Sequence, residues 1–156
     1  RMSRGLGDVY KRQMQQLGLW KYVKKTYASE PYYNDIKSDY EVRPQYYAYS
    51  LLTRFIRPGA EIYPIATPEE WYAGTAVRNT NGKWVYVFAN GMDQEKAISL
   101  INQHTQTKGN YQVYRYIKDG LPTTDQMLAP DAQPLKVNDK ILCLLPAHSV
   151  IVLKQE

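Results

Sequence analysis

The sequence predicts a mainly β protein, in which an antiparallel β-sandwich of about eight strands follows one βα unit. Three observations support this fold class. From residue 60 onward, short runs of β-branched and aromatic residues recur about every ten residues, turn-forming residues separate them, and no helical pattern intervenes. Strands at that spacing are typical of a sandwich, whereas a parallel sheet would alternate strands with helical segments.

The first 13 residues are expected to lie outside the native fold. The run from Ser3 to Gln13, SRGLGDVYKRQ, resembles the in-frame translation of a tagmentation sequencing adapter, and its last six residues resemble the translated transposase mosaic end. Such a segment is excluded from fold reasoning as an expression scar would be. We therefore expect a reading frame from a contaminated assembly, whose native part begins at about residue 14 as a C-terminal fragment of a longer protein.

Charge and apolar run length argue against two classes of partner. The whole chain has a formal net charge of +5, but residues 1–13 contribute four basic residues and one acidic residue. Residues 14–156 therefore carry 16 basic and 14 acidic residues, a net charge of +2. Without a run of Lys or Arg, this balance disfavours nucleic acid as a partner. No apolar run approaches the ~20 residues of a membrane span, and the sequence leaves the oligomeric state open.

The segment before the sandwich has the pattern of one βα unit. Residues 17–23, LGLWKYV, form a short apolar run that predicts a strand, and a long loop is expected over residues 24–43. Pro44 suits the first helical position because it lacks an N–H, and apolar residues at three-and-four spacing predict a helix over 45–57. Pro58 begins the Pro-Gly pair that ends this helix. One βα unit cannot close a sheet by itself, so it looks like the last repeat of something larger.

The eight strands of the sandwich are justified by their β-branched and aromatic content. They are predicted at residues 60–65, 72–78, 83–89, 96–101, 111–118, 135–137, 140–145 and 149–154. Between two of these runs, Asn81-Gly82 predicts a hairpin with a type I′ turn, which needs a positive φ at both central residues.

Cysteine and histidine residues give no sign of a metal site. The chain contains one cysteine, Cys143, which excludes an internal disulfide framework and a cysteine-based zinc site. Because Cys143 alternates with Leu142 and Leu144, we expect it to behave as a small core hydrophobe. His104 and His148 are isolated, with no further ligands at metal-binding spacing. The sequence therefore predicts neither a metal nor a cofactor.

Several features in a fixed order resemble the C-terminal part of clan A glycoside hydrolases, with family 30 as the nearest match. They are Tyr46-Tyr47 entering the helix, RFIRPGA at 54–60 leaving it, NTNGK at 79–83 before an apolar strand, and LPAHSV at 145–150 before the last strand. These enzymes are (β/α)8 barrels with an appended β-sandwich. The resemblance implies that residues 14–58 are the last strand, loop and helix of a truncated barrel, and that residues 59–156 are the C-terminal β-sandwich domain.

The resemblance also implies what this chain lacks. Retaining glycosidases use two carboxyl groups about 5–5.5 Å apart, and in this family they follow barrel strands four and seven, upstream of residue 14. We therefore expect no catalytic residue in this chain and a brace role for the sandwich. The parent enzyme is expected to cleave β-linked glycans and to be secreted or periplasmic. Acids of the 24–43 loop are expected to be solvated, because one loop offers no second wall to oppose them; they are Glu30, Asp35, Asp39 and Glu41.

The substrate-binding residues are expected on the 24–43 loop and the strand before it, since loops after barrel strands build the active-site face. In the resembled family an aromatic ring at the end of strand eight commonly stacks on the sugar, which points to Trp20, although an ordinary barrel-core tryptophan is the alternative. Tyr27, Tyr32 and Tyr33 are candidates for outer subsites, and the alternative for each is packing against the barrel rim.

Two other functions stay open at this stage: an independent carbohydrate-binding module and a purely structural sandwich. Trp71, beside a pair of glutamates, is expected to be exposed, whereas Trp84 lies in the apolar run WVYVFA and is expected to be buried between the sheets. An exposed coplanar aromatic pair on one sheet face would favour the binding module. Burial of Trp84 with scattered tyrosines would favour the brace.

Overall fold

The computed structural model describes residues 19–22, 40–67, 72–102, 105–122 and 127–156. The predicted adapter segment, residues 1–13, lies outside these ranges. The chain divides into two compact units, residues 1–46 and residues 47–156. The domain boundary that the sequence places at residue 58 stays a prediction.

The described part of the first unit contains two short strands. Strand β1 (Trp20–Tyr22) pairs antiparallel with β2 (Tyr40–Val42), and the Arg43 N–H donates to the Leu19 carbonyl at 2.9 Å. The expectation of one strand followed by a loop as far as residue 43 is therefore wrong at the end of that loop. The residue before a proline favours extended backbone, and tyrosine and valine favour strands, so the residues leading into Pro44 continue a strand.

Helix α1 (Pro44–Phe55) begins where the sequence predicts and ends two residues earlier. Its buried residues, Tyr47, Leu51 and Phe55, are four apart and share one face. After the helix, Gly59 takes a positive φ of 81° and turns the chain toward the sandwich.

The eight strands predicted after the helix are all present, each with ends within two residues of the expected ones. They are β3 (Glu61–Ile65), β4 (Tyr72–Arg78), β5 (Trp84–Asn90), β6 (Lys96–Ile101), β7 (Gly109–Ile117), β8 (Leu135–Val137), β9 (Lys140–Leu145) and β10 (Ser149–Gln155). Six of them form an antiparallel sheet in the order β3-β4-β5-β10-β7-β8, and β6 pairs with β9 in a second, two-stranded sheet. A short 3-10 turn, Thr105–Thr107, precedes β7.

The hairpin between β4 and β5 is confirmed, but its turn differs from the predicted type. The Asn79 N–H donates to the Lys83 carbonyl at 3.0 Å, which leaves a three-residue loop. Within this loop Gly82 has a positive φ, of 77°, and Asn81 does not. Three-residue hairpin loops commonly combine a type I turn with one left-handed residue, so a single glycine suffices where a type I′ turn needs two positive φ angles.

The six-stranded sheet has an apolar side chain layer on each face, because side chains alternate between faces along a strand. On one face lie Val77, Val85 and Val152, and Val152 is opposite Tyr114, whose ring contacts Phe55 of the helix. The opposite face packs against the two-stranded sheet and forms the main core, whose members include Tyr86, Phe88, Tyr111, Val113, Ile141, Leu145, Ile151 and Leu153. This second unit is an antiparallel sandwich with a helix on its outer side. In the described residues, no helix has the length and apolar character needed to cross a membrane.

Candidate functional site

The residues that the sequence proposes for sugar binding fall almost entirely beyond the described part of the chain. The backbone of Trp20 forms the start of β1; its side chain lies outside the description, as do Tyr27, Tyr32 and Tyr33. The loop acids Glu30, Asp35 and Asp39, together with Trp71 and His104, lie outside the described residues as well. The roles proposed for all of them stay predictions.

The helix-docking face is the face of the six-stranded sheet that carries Tyr114, Val77 and Val85, and Phe55 of α1 packs against its Tyr114. The buried residues of α1 are Tyr47, Leu51 and Phe55. The Phe55 and Tyr114 rings lie 4.4 Å apart between centroids. The Arg54 guanidinium lies over both rings, at 5.1 Å and 5.2 Å, and donates to the Leu128 carbonyl at 3.1 Å. Cation–π contacts of this kind are favourable when the cation is partly desolvated. The end of the helix is therefore attached to β7 and to the segment that follows it.

Asn79 joins the end of the helix to the β4–β5 hairpin. Its Nδ2 donates to the Phe55 carbonyl at 2.9 Å, and its Oδ1 accepts from the Arg57 N–H at 3.0 Å. Helix ends leave backbone carbonyls without intrahelical partners, and this one buried side chain supplies a partner from the sandwich. The sequence contained this residue in a family-like motif without indicating its role, because the contact joins residues 22 and 24 positions apart.

The opposite face of the sheet contains a cavity of about 570 Å³, which we call the aromatic groove. It lies where β3, β4 and β5 extend beyond the two-stranded sheet and meet the end of β6 and the 3-10 turn. Its walls include Tyr63, Arg78, Trp84, Tyr86, Asn102 and Thr107. Two strands do not cover the inner face of a six-stranded sheet, so one corner of that face stays open.

The rim of the groove is aromatic and charged. The Tyr63 and Trp84 rings lie 5.7 Å apart between centroids, tilted by 36°. The Tyr63 hydroxyl donates to Glu61 Oε2 at 2.9 Å, and this hydrogen bond is the main reason that the pKa of Tyr63 is raised. Arg78 lies on the neighbouring strand, 3.6 Å from the same carboxylate. The Tyr63 hydroxyl, the Glu61 carboxylate and the Arg78 guanidinium thus lie close to the Tyr63 and Trp84 rings.

The floor of the groove is a hydrogen-bonded network of buried polar groups. Thr107 Oγ1 donates to Asn102 Oδ1, and Asn102 Nδ2 donates to the Asn138 carbonyl at 2.9 Å. Burial raises the pKa of the Tyr86 phenol, and a hydrogen bond with Thr107 opposes that shift. The Tyr111 hydroxyl donates to the Thr107 carbonyl at 2.7 Å, and burial raises the pKa of this phenol strongly. Paired buried groups of this kind hold a surface rigid.

Trp84 occupies both environments that the sequence left open. It packs against the main core, so the expected burial between the sheets holds for part of its ring, while the rest lines the groove. Among the described residues its indole Nε1 is buried without a hydrogen-bond partner. The ring beside it, Tyr63, is 45% exposed but tilted, so the pair is exposed on one side without being coplanar.

The remaining single residues have clear structural surroundings. Cys143 lies in the main core, as expected, and burial raises the pKa of its thiol. His148, expected to be isolated, instead has its Nε2 2.6 Å from Asp93 Oδ1; the turn before β10 brings together two residues that are 55 positions apart in sequence. Among the described residues, no three His, Cys, Asp or Glu side chains come close enough to hold a metal ion.

The carboxylates described in residues 47–156 lie at the surface. They are Glu61, Asp93, Glu95, Asp119, Asp131, Asp139 and Glu156, and each is exposed. Three of them form ion pairs with Lys or Arg: Glu61 with Arg78 at 3.6 Å, Asp131 with Arg115 at 2.7 Å and Asp139 with Lys108 at 2.6 Å. A glycosidase general acid sits in an apolar pocket opposite a second carboxylate. The seven carboxylates named above are instead exposed to solvent, an environment suited to ion pairs.

Comparison with known proteins bears on the fold. No family model matches the sequence, and no curated protein matches it significantly. Among solved structures, a GH30 endoxylanase from Clostridium papyrosolvens C71 matches with a TM-score of 0.59 and 21% identity, over 74% of this chain and 28% of that one. The catalytic domain of GH30 xylanase C from Talaromyces cellulolyticus matches with a TM-score of 0.58 and 20% identity, over 76% and 25%.

A third solved structure agrees with these two. The glycoside hydrolase family 30 subfamily 8 xylanase from Clostridium acetobutylicum matches with a TM-score of 0.61 and 18% identity, over 77% of this chain and 29% of that one. This chain therefore spans between a quarter and three tenths of the length of these enzymes. The three structures establish its fold: a β-sandwich after one βα unit, as in part of the family 30 xylanases.

Proposed function

We propose that this chain is the C-terminal part of a retaining glycoside hydrolase that acts on β-linked glycans, and that its helix and sandwich brace the barrel without taking part in catalysis. The observation that carries the proposal is the docked helix followed by the sandwich, an arrangement similar in fold to family 30 xylanases over about three quarters of this chain. Because the chain spans little more than a quarter of those enzymes, the barrel strands that would carry the catalytic carboxylates belong upstream.

The helix has the two apolar stripes that a brace requires. Tyr47, Leu51 and Phe55 are buried against the sandwich. One position further along, Ala48 and Leu52 begin a second, half-buried stripe, which Ile56 continues just after the helix, where its N–H donates to the Leu52 carbonyl. Residues four apart lie on one face of a helix, so this second stripe is available to a further layer. We assign it to the barrel, which makes α1 the element shared by the two domains.

The substrate residues of the proposal lie on the barrel side. Trp20 would stack on the sugar, and Tyr27, Tyr32 and Tyr33 would line outer subsites. Retaining hydrolysis needs an acid and a nucleophile on opposite sides of the scissile bond, and β1 with its loop supplies one wall of such a cleft. The three neighbours are xylanases, so xylan is the first glycan to test.

The deciding experiment recovers the DNA upstream of codon 14 by inverse amplification from the source sample, with primers inside codons 44–156. The proposal expects a continuous reading frame that encodes a (β/α)8 barrel with carboxylates after strands four and seven. Expression of that frame should give hydrolysis of β-linked glycans. An upstream frame that encodes no barrel, or a native start codon near residue 14, would overturn the proposal.

A second experiment tests the non-catalytic part directly. The purified 156-residue chain is assayed on xylan, other β-glycan polymers and aryl β-glycosides, beside the variants Glu30→Gln and Glu41→Gln. We expect no turnover above buffer, since removing acid, nucleophile and cleft together leaves no weakened form of the mechanism. Turnover that disappears in either variant would move the catalytic site into the 24–43 loop.

A further inference from the structure

We propose that the aromatic groove of the sandwich is a binding site for a neutral oligosaccharide, separate from any catalytic cleft. The groove belongs wholly to residues 47–156, and its walls come from β3, β4, β5, the end of β6 and the 3-10 turn. The inference does not depend on the presence of a barrel, because every group it uses is in the sandwich.

The register of three strands explains why rings reach solvent at this place. Tyr63 is opposite Ala76, which is opposite Tyr86, so the three side chains share one face of the sheet. Ala76 and Tyr86 are buried in the main core, whereas Tyr63, on the edge strand, is 45% exposed. Of these three side chains, those on β5 and β4 are therefore buried, and the one on the edge strand β3 is exposed to solvent. Ala76 lies between the two tyrosines. Because its side chain is only a methyl group, space remains between the two rings, and this space forms part of the groove.

The aromatic wall matches the apolar faces of pyranose rings. Tyr63 and Trp84 present adjacent ring surfaces, 5.7 Å apart between centroids. Sugar C–H groups pack on aromatic faces because the ring carries negative charge on its face and offers a large apolar area. Binding pockets for small ligands combine such walls with a few convergent polar groups, and a volume of about 570 Å³ is sufficient for a short oligosaccharide.

The polar rim favours a neutral ligand over an anionic one. Arg78 lines the groove and offers hydrogen-bond donors. Next to the lining, Glu61 offers acceptors; its carboxylate is 3.6 Å from Arg78 and accepts from the Tyr63 hydroxyl. Sugar hydroxyls donate and accept at the same time, so they satisfy both groups. An anion would be attracted by Arg78 but repelled by the Glu61 carboxylate 3.6 Å from it. The pair carries no net charge, and a polyhydroxylated neutral chain is the ligand chemistry that fits it.

The hydrogen-bonded floor keeps the groove in one shape in the absence of a ligand. Asn102 and Thr107 are 7% and 2% exposed and hydrogen-bonded to each other. The Tyr111 hydroxyl anchors the 3-10 turn from below. Preorganised walls lower the conformational cost of binding. An apolar peptide or a second copy of the chain fits this site less well, because the rim is charged and the floor is polar.

The test titrates the full chain with xylohexaose, cellohexaose and mannohexaose, and with hexagalacturonate as the anionic comparison, by calorimetry and by the ¹H–¹⁵N signals of the tryptophan indoles. We expect saturable binding of at least one neutral hexasaccharide, with a shift of the Trp84 indole signal. Tyr63→Ala should weaken the affinity about tenfold, and Arg78→Gln should weaken it as well. The matched control is Tyr49→Ala, since Tyr49 is 56% exposed on the helix, away from the groove, and it should bind as the unaltered chain does.

Other outcomes would overturn the inference. It fails if no neutral hexasaccharide saturates, if only hexagalacturonate binds, or if sedimentation shows a dimer that Tyr63→Ala converts to a monomer. Binding that survives both Tyr63→Ala and Arg78→Gln but is lost in Trp20→Ala would place the ligand at the first strand instead. That result would contradict the groove site and leave the proposed glycosidase relationship standing, so the two proposals are separable.

Discussion

The two faces of the six-stranded sheet differ in how completely they are covered. On the helix-docking face, Val77 and Val85 are 0% and 1% exposed. Their neighbours in the same strands point to the other face, where the aromatic groove lies. There Arg78, beside Val77, is exposed, and Trp84, beside Val85, is half-buried. The 12-residue helix covers the middle of its face and leaves Ile62 of the edge strand 63% exposed, whereas two strands leave a whole corner of theirs open as a groove.

The main core lies on the groove face as well, so the difference concerns one open corner of that face, which is free for other tasks. A covered region of the sheet gains free energy from every apolar group removed from water. The open corner lacks part of that gain and keeps polar groups and aromatic rings accessible to solvent. The comparison can be tested by substitutions that act on one face and have a matched control elsewhere.

The largest effect is expected from Leu51→Ala on the helix-docking face. Leu51 is 1% exposed, and truncating a buried leucine costs the lost transfer energy plus a cavity, about 3 kcal/mol in free energy of unfolding. Urea unfolding followed by circular dichroism measures it. The control is Leu142→Ala, since Leu142 is 63% exposed and should change stability by less than about 0.5 kcal/mol. Equal effects in the two variants would mean that packing of the helix on this face does not stabilise the fold.

A smaller loss is expected from Asn79→Ala, which removes both hydrogen bonds between the helix end and the hairpin. Leaving buried backbone groups without partners costs about 2 kcal/mol. Amide exchange of Arg57, whose N–H binds Asn79 Oδ1, should accelerate in this variant. The same substitution at Asn110, an exposed residue of β7, provides the control. Unchanged exchange at Arg57 would show that the helix end is held by other contacts.

Gly82→Ala tests the loop of the β4–β5 hairpin, which fixes how the two strands pair. A shift of one residue in register would move every side chain to the opposite face, and this hairpin fixes the register of β4 and β5. A Cβ at Gly82 meets nothing within 4 Å, but φ is 77°, so the cost is backbone strain of about 1 kcal/mol. Gly120→Ala is the control, because that glycine has no positive φ and a Cβ there meets Ile117 at an ordinary 3.8 Å. Similar melting temperatures for the two variants would contradict this account.

The smallest effect concerns the ion pair at the groove end of the sandwich. A hydrogen bond and the charge of Lys108 hold the pKa of Asp139 below its ordinary value of 3.8. A carboxyl whose pKa is lower in the folded state stabilises the fold above the unfolded pKa, and this contribution is lost as the pH falls through the folded pKa. NMR titration should give a midpoint below 3.8 that returns to about 3.8 in Lys108→Met. A midpoint unaffected by that substitution would assign the shift to another cause.

Local patterns in the sequence were sufficient for the elements but not for the groove. The strand runs and the Pro44 helix start depend on neighbours within a few residues, and both were predicted. The strand at 40–42 was missed because its partner is about 20 positions away. The groove depends on which strands lie side by side: Tyr63, Ala76 and Tyr86 come together through sheet order, and no local periodicity records that order. The role of Asn79 was missed for the same reason.

The position of β10 determines the order in which the sandwich can form. This strand lies between β5 and β7 and pairs with both of them. Until residues 149–155 are available, the hairpin of β4 and β5 and the pair of β7 and β8 have no common sheet. Pairings across such long sequence separations fold slowly, and unpaired strand edges are prone to aggregation while they wait. During synthesis, completion of this sandwich must therefore await its last strand, and any earlier pause exposes the inner edges of β5 and β7.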